Sequence, residues 1–324
     1  MSILVYTQNW DGKFKKSSFE LVSFASELGK QMNQTVTAVS IGNIGNDELQ
    51  KLGKYGAEKI ISAADSKLNQ LNNQAYSATI AQAAQKENAS VVIFANNFTG
   101  KALAPALSIK LKAGIVSGVA GLPVSIEPFV VHKKMFTGKA FGNVQINSAV
   151  KILTLAQNSF QIVENPCELA IENFSPELKD SWFVNQVKDT QKSSGTILLT
   201  DAEIVVSGGR GMKSADNWGP LEALATELGA ATACSRPVAD EGWRPHAEHV
   251  GQTGKIVAPN LYFACGISGA IQHVAGISSS KFIVAINKDP DAPIFETANY
   301  GIIGDVQKVL PDLLNQIKAF KAGV

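Results

Sequence analysis

The sequence predicts an α/β fold in two domains. Short apolar runs rich in β-branched residues, such as Thr35–Ile41, Ser90–Ala95 and Phe282–Ile286, alternate with stretches whose apolar residues recur at helical spacing. Strands that are apolar on both faces belong in a parallel sheet covered by helices on each side. A second observation is the glycine and small polar residues just after the strand-like runs of the C-terminal half, as in Ser207-Gly208-Gly209-Arg210-Gly211 after Ile204-Val205-Val206. Ligands of open α/β sheets sit at such strand exits. The third is the length of 324 residues, which suits two domains. The expected architecture is a Rossmann-like α/β domain over residues 1–195, including a linker, and a doubly wound parallel-sheet domain over residues 196–324.

In chain order, Ile3–Thr7 is the first strand, and residues Phe19 to Leu28 lie on a helix of mixed face. Thr35–Ile41 and Lys59–Ser62 are strands, Ala75–Glu87 is an alanine-rich helix, and Ser90–Ala95 is a buried strand. Leu103–Leu111 is a helix ended by Ala113-Gly114. From Ile115 to Leu155 helical signals fade, and the short runs Phe129–Met135, Gly142–Ile146 and Lys151–Thr154 predict a mixed or antiparallel edge. Residues 157–200 read as the linker region, punctuated by Asn165-Pro166, Ser175-Pro176 and the polar run Lys188–Gly195, with Trp182 and Phe183 expected to dock on a domain.

The C-terminal half centres on Val250 to His273. A polar turn, Gly251-Gln252-Thr253-Gly254, precedes the strand Leu261–Cys265, and Gly266-Ile267-Ser268-Gly269-Ala270 then leads into a helix, read as starting at Ser268. The first N–H groups of a helix lack internal partners and the helix dipole favours negative charge there. Ser268-Gly269-Ala270 is accordingly read as a pyrophosphate seat, with the Gly251–Gly254 turn as a second wall; the plainer alternative is two ordinary strand-to-helix connections. Leu221, Leu224, Ala225 and Leu228 mark a helix stopped by Gly229. Gly301–Asp305 is the last strand and turn, and Val306, Val309, Leu310, Leu313, Leu314 and Ile317 form the apolar face of a closing helix.

Composition narrows the function. The chain is 45% hydrophobic and 18% charged, an ordinary globular composition. Its 29 basic and 28 acidic residues leave a net charge of +1, without the footprint of a nucleic-acid binder. Each apolar run is too short or too interrupted for a membrane span, and the chain enters a strand pattern at once, which favours a cytoplasmic protein or a mature form already cut. Cys167, Cys234 and Cys265 lie far apart in apolar contexts and read as reduced, buried thiols. His246 and His249 have H-x-x-H spacing but no third ligand nearby, so no metal site is expected. Lys133-Lys134 reads as a solvated face.

The motifs S-G-G-R-G, N-W-G-P-L-E-A-L-A, C-S-R-P, V-G-Q-T-G-K, G-I-S-G-A-I-Q-H, A-I-N-K-D-P-D-A-P-I-F and Y-G-I-I-G-D, in this order, resemble the α subunit of electron-transfer flavoprotein. The resemblance is dense from about Glu203 to Leu313 and looser over the N-terminal domain. It implies FAD bound in the C-terminal domain, an N-terminal domain packed on a β subunit, and AMP or a second FAD in that partner. It also implies one-electron transfer, without substrate turnover of its own, from flavin dehydrogenases such as acyl-CoA dehydrogenase to a membrane quinone oxidoreductase. By motif, Arg210, Ser235 and Arg236 should line the FAD, as should Val250, Gly251, Gln252 and Thr253, and then Ser268, Gly269, Ala270, Ile271, Gln272 and His273. Asn287, Asp305 and Val306 should lie near the adenosine end.

Within that resemblance, His273 is expected to donate near the flavin C2 carbonyl, Arg236 to add a fixed charge beside the ring, and Thr253 to donate to flavin N5. Taken without it, His273 is a core histidine, Arg210 a surface arginine, and Thr253 satisfies its own turn. The chain departs from the family where His249 replaces a common Gln, Val306 a usual Leu, and Ser117-Gly118 a more usual Ser-Asp pair. Two other functions stay open: an NAD-linked or electron-bifurcating flavoprotein subunit, and a nucleotide-sensing module without redox change. The glycine spacing departs from G-x-G-x-x-G, which counts against a dinucleotide-dependent dehydrogenase.

Overall fold

The computed structural model describes residues 1–138, 140–185, 187 and 197–323. The chain divides into two compact units, Met1–Thr190 and Gln191–Val324. The polar run Lys188–Gly195 lies outside the described residues.

In the N-terminal unit the described residues form a nine-stranded sheet. From one edge its order is Ala170–Asn173, Lys59–Ala63, Thr35–Ile41, Ser2–Thr7, Ala89–Ala95, Lys151–Leu155, Gly114–Val119, Val130–Met135 and Ala140–Gln145. Pairing is parallel up to Gly114–Val119, and the last two strands run antiparallel. Helices Lys16–Met32, Asn73–Lys86 and Phe98–Leu111 cover the sheet. Successive residues of the first strand feed opposite cores: Ile3 and Val5 enter one, Leu4 and Tyr6 the other. That alternation is the period-2 geometry of a strand buried on both faces.

Three expectations change here. Lys151–Leu155 sits inside the sheet, parallel to both neighbours, and not at the antiparallel edge. Gly114–Val119, read as following a helix stop, is itself a strand. Its glycines hide it: a Cβ at Gly114 would lie 2.7 Å from Ile146 Cγ2, and Gly118 has φ +71° at a bulge where its N–H meets Thr154 Oγ1 at 3.0 Å. Finally, most of the described part of residues 157–200 is not linker but part of the first unit. The Asn158 and Phe160 N–H groups donate to Glu20, and Ala170–Asn173 pairs with Lys59–Ala63. Asn72 Nδ2 donates to the Trp182 carbonyl at 2.7 Å, and Trp182 and Phe183 dock on the core as expected.

The C-terminal unit is a five-stranded sheet, parallel throughout, in the order Ala231–Cys234, Ile204–Gly208, Leu261–Cys265, Phe282–Asn287, Tyr300–Ile303. Val205, Tyr262 and Ala264 face one core; Val206, Phe263 and Cys265 face the other. Helices Gly219–Leu228 and Val306–Ala322 pack on the second face. Gly229 closes the former at φ +62°. Chain order reverses between the first strand and its two neighbours. A crevice therefore opens at the carboxyl ends, since connections leave that point in opposite directions. Cys234 and Cys265 are buried, Cys167 only half-buried, and all three are free thiols.

Candidate functional site

All five strands of the C-terminal sheet deliver their exits to one cavity of about 990 Å³. That is at the upper end for small-molecule and cofactor sites, about 300–1,000 Å³.

The first exit is Gly209-Arg210-Gly211. Gly209 N–H donates to the Cys265 carbonyl at 2.9 Å and Gly211 N–H to the Gly266 carbonyl at 3.0 Å. A Cβ at Gly209 would fall 2.3 Å from the Gly266 oxygen, and one at Gly211 2.6 Å from Gly266 Cα. These glycines let two strand exits touch; close approach to a ligand is not their first use. The contact leaves Arg210 exposed at the rim.

The second exit is Ser235-Arg236, where Arg236 Nε pairs with Asp240 Oδ2 at 3.3 Å. The chain then loops out and returns at His249, with Val250 N–H donating to the Cys234 carbonyl at 3.0 Å. Arg244 fixes this excursion. Its Nε and Nη2 each donate to Glu248 at 2.8 Å, its Nη1 donates to Glu222 at 2.6 Å, and its guanidinium lies 5.0 Å from the Trp218 ring centre. Arg244→Ala is expected to cost about 1–2 kcal/mol in urea denaturation, with Arg244→Lys recovering less than half, because an ammonium cannot match the two-pronged pairing.

The Gly251–Lys255 turn docks on the helix Ile271–Ile277. Gln252 N–H donates to the Gln272 carbonyl at 2.8 Å and Val257 N–H to the Gly276 carbonyl at 2.9 Å. A Cβ at Gly276 would come within 2.5 Å of Gly251 Cα. The turn and the helix start are thus two walls of one cavity, as the sequence suggests. His249 lies buried under the turn, its ring filling the space beside Gly254. Burial first, then the Arg236 charge, holds its imidazole below the usual value.

The third exit carries Ser268 and Ala270 to the cavity, but not Gly269 or Ile271. Gly269 has φ +90°, and a Cβ there would strike Ile294 N at 2.2 Å, so it faces the neighbouring loop. Ile271 is 65% exposed to solvent. The helix begins at Ile271 and not at Ser268, because Gly269 is outside helical geometry. His273 therefore sits in the first turn. It is buried, and Tyr262 Oη lies 3.0 Å from its Nε2. Burial pushes the imidazole down to about 4, against the Val250 carbonyl, which favours a proton on the ring without meeting hydrogen-bond geometry. His273 is thus neutral at pH 7, a donor or acceptor and not a cation. Its Nδ1 is buried without a hydrogen-bond partner.

At the fourth exit, Asn287 Nδ2 donates to the Ile267 carbonyl at 3.0 Å while its Oδ1 accepts from Asp289 N–H at 3.0 Å, so the side chain ties two cavity loops together. At the fifth, Asp305 caps the last helix by accepting from Gln307 N–H at 3.0 Å and pairs with Lys213 Nζ at 2.7 Å. Val306 is buried beside it.

Every residue expected from the sequence lines this cavity except Gly269 and Ile271. Sequence reasoning missed Lys213, Asp240, Glu241 and Lys288 in the lining of the same cavity. Only the position of Lys288 just beyond a strand could have pointed to it. The side chains of Arg210, Gln252, Thr253, Ser268 and Gln272 are exposed on the cavity and form no hydrogen bond within the protein among the described residues. Converging unpaired donors at the exits of a parallel sheet define a class: a doubly wound α/β domain built to seat a nucleotide-type cofactor.

Comparison with known proteins narrows the class. The electron transfer flavoprotein domain model matches residues 3–178, and the electron transfer flavoprotein FAD-binding domain model matches residues 198–278. The electron transfer flavoprotein subunit alpha of Bacillus subtilis (strain 168) is 37% identical over 318 residues, covering 98% of this chain and 97% of the relative. That of Syntrophomonas wolfei is 36% identical over 315 residues, covering 97% and 98%. The probable mitochondrial subunit alpha of Caenorhabditis elegans is 37% identical over 317 residues, covering 96% and 92%. The chain belongs to the electron transfer flavoprotein α-subunit family, a family of electron carriers, and its C-terminal unit carries the family's FAD-binding domain.

Proposed function

We propose that FAD occupies the strand-exit cavity, one per chain, and that the protein works as a one-electron carrier paired with a β subunit bearing AMP or a second FAD. It takes electrons from flavin dehydrogenases, of which acyl-CoA dehydrogenases are the leading class, and passes them to a quinone oxidoreductase. The observation that supports this most is the convergence of unpaired donors with the buried, unpartnered Nδ1 of His273 on one cofactor-sized cavity. A buried polar atom without a partner is rare, and a bound acceptor would satisfy it.

When bound, FAD supplies the redox chemistry through its isoalloxazine ring. The chain's residues bind, orient and bias. Arg210 and Arg236 offer positive charge to phosphate or to a reduced, negatively charged ring. The Thr253 hydroxyl and His273 donate to ring acceptors, and donors aimed where negative charge develops favour the reduced form. Ser235, Gln252, Ser268 and Gln272 add neutral hydrogen bonds. Val250 and Gly251, whose N–H groups donate to the Cys234 and Lys255 carbonyls, shape the wall, and the Ala270 N–H is at hand as a donor. Asn287, Asp305 and Val306 shape the far wall. Among the described residues, no helix is long and apolar enough to cross a membrane.

FAD titrated into the protein purified with its partner, and followed by flavin fluorescence, tests the seat. Arg236→Ala should weaken retention about tenfold or more, the loss of a charge-assisted contact of about 1.5–3 kcal/mol. Undiminished FAD affinity in Arg236→Ala, Thr253→Val and His273→Gln alike would remove the cavity as the seat.

A further inference from the structure

We infer that Tyr262, which does not line the cavity, is a positioning residue that holds His273 with its proton on Nδ1, so that Nδ1–H is the donor presented to the bound flavin. This rests on the FAD reading above for the identity of the acceptor, whereas the tautomer is inferred from the hydrogen bonding around the ring and is tested on the protein with or without flavin.

Tyr262 lies at the centre of the sheet, fully buried, between Val205 and Ile283 on the neighbouring strands. Burial holds its phenol far above the ordinary range, so its O–H keeps its proton. A buried hydroxyl proton needs an acceptor. Among the described residues the one hydrogen bond of the Tyr262 hydroxyl is to His273 Nε2, at 3.0 Å. The Ser207 hydroxyl, on the adjacent strand, is close enough to favour the ionised phenol as a donor, against burial, but makes no hydrogen bond of acceptable geometry, which leaves His273 Nε2 as the acceptor. A neutral imidazole has one N–H and one lone pair. If Nε2 accepts from Tyr262, its lone pair is used and the ring proton must sit on Nδ1. Nδ1 is the nitrogen left without a hydrogen-bond partner in a residue that borders the cavity, and the Val250 carbonyl beside the ring favours a proton on the ring without meeting hydrogen-bond geometry. This reverses the tautomer that free histidine favours in water. The hydroxyl therefore does more than fill space: it decides whether the cavity meets an N–H or a bare lone pair. A flavin carbonyl needs the N–H, and reduction adds negative charge that strengthens the bond. Tyr262 and His273 lie eleven residues apart, on the strand and on the helix it leads into, so one strand-turn-helix unit sets both the donor and its protonation.

The test is a nitrogen-15 NMR measurement on histidine-labelled, flavin-loaded protein purified with its partner at pH 7.5, with His273→Gln used to assign the His273 signals. The parent protein should show Nδ1 protonated and Nε2 bare. Tyr262→Phe, which removes one oxygen, should move the ring to Nε2–H and shift the flavin reduction potential to a more negative value, with flavin content unchanged. An Nε2–H signal in the parent protein overturns the inference, and this outcome needs no variant to fold. A Tyr262→Phe protein whose tautomer or potential is unchanged also overturns it. If no flavin binds, the FAD reading fails instead; the parent tautomer is then read on the flavin-free protein, and an Nε2–H signal there still overturns the assignment.

Discussion

Gly209→Ala will destabilise the C-terminal unit by about 3 kcal/mol or more, at the top of the usual range for overpacking. The local backbone gives no warning of this. Gly209 has φ −112° and ψ −172°, which alanine adopts freely. The cost comes from across the crevice, where the new Cβ would sit 2.3 Å from the Gly266 carbonyl oxygen and 2.8 Å from Ile267 Cα. Both obstacles are backbone, so relief requires separating two strand exits that are also joined by hydrogen bonds from Gly209 and Gly211. Those exits carry Arg210 and Ser268, so flavin retention should fall with stability. Gly219→Ala is the matched control. That glycine is exposed and helical at φ −47°, and a Cβ added there would meet nothing within 4 Å, so alanine should stabilise by about 0.5–1 kcal/mol. Thermal and urea denaturation of the two variants should therefore move in opposite directions.

The second large effect is a loss of stability on acidification that belongs to His273. In the unfolded chain its imidazole takes a proton near pH 6.5; in the folded protein burial pushes that value down to about 4. Between the two the unfolded state binds more protons, so stability is complete above about pH 6.5 and falls as pH drops toward 4. The gap corresponds to about 3 kcal/mol at its limit, and about 2 kcal/mol is already lost at pH 5. The carboxylates held low by ion pairs, Glu172, Asp180 and Asp305 among them, lose their contribution at lower pH, whereas Glu20, held above the usual carboxylate value mainly by burial, favours the folded state on acidification and opposes the histidine slope. His249, also held low by burial, adds to the same slope. Urea denaturation at pH 7.5 and 5.0 should show the drop in the parent protein and a much smaller one in His273→Gln. Equal drops in both would mean that the imidazole is not buried neutral.

The parts of this molecule that could be read in its sequence are those whose signal is local. Thr35–Ile41 is a strand over the residues its β-branched pattern marks, and Gly229 stops its helix in the left-handed conformation. The cavity was legible because an α/β chain returns to the same end of the sheet after each strand, so polar residues just past strands converge even when they are far apart in sequence. What was not legible depends on partners distant in the chain. Ala170–Asn173 is mostly exposed at a sheet edge, so it lacks the apolar alternation that marks a strand, and only its pairing with Lys59–Ala63 reveals it. Lys213 joins the cavity through Asp305, ninety-two positions away. Gly269 stands in a motif whose neighbours line the cavity, yet Ile294 claims its open side. The neutrality of His273 comes from its burial, and its hydrogen bond from Tyr262; no spacing of residues announces either.

The measurement that tests the central claim most directly is a reductive titration of this chain purified with its partner subunit, followed by visible absorption. The account predicts a flavin spectrum that bleaches on reduction and returns on reoxidation, with FAD recovered when the protein is denatured. A complex that shows no flavin absorption, even after FAD is added to the assembled protein, would contradict it.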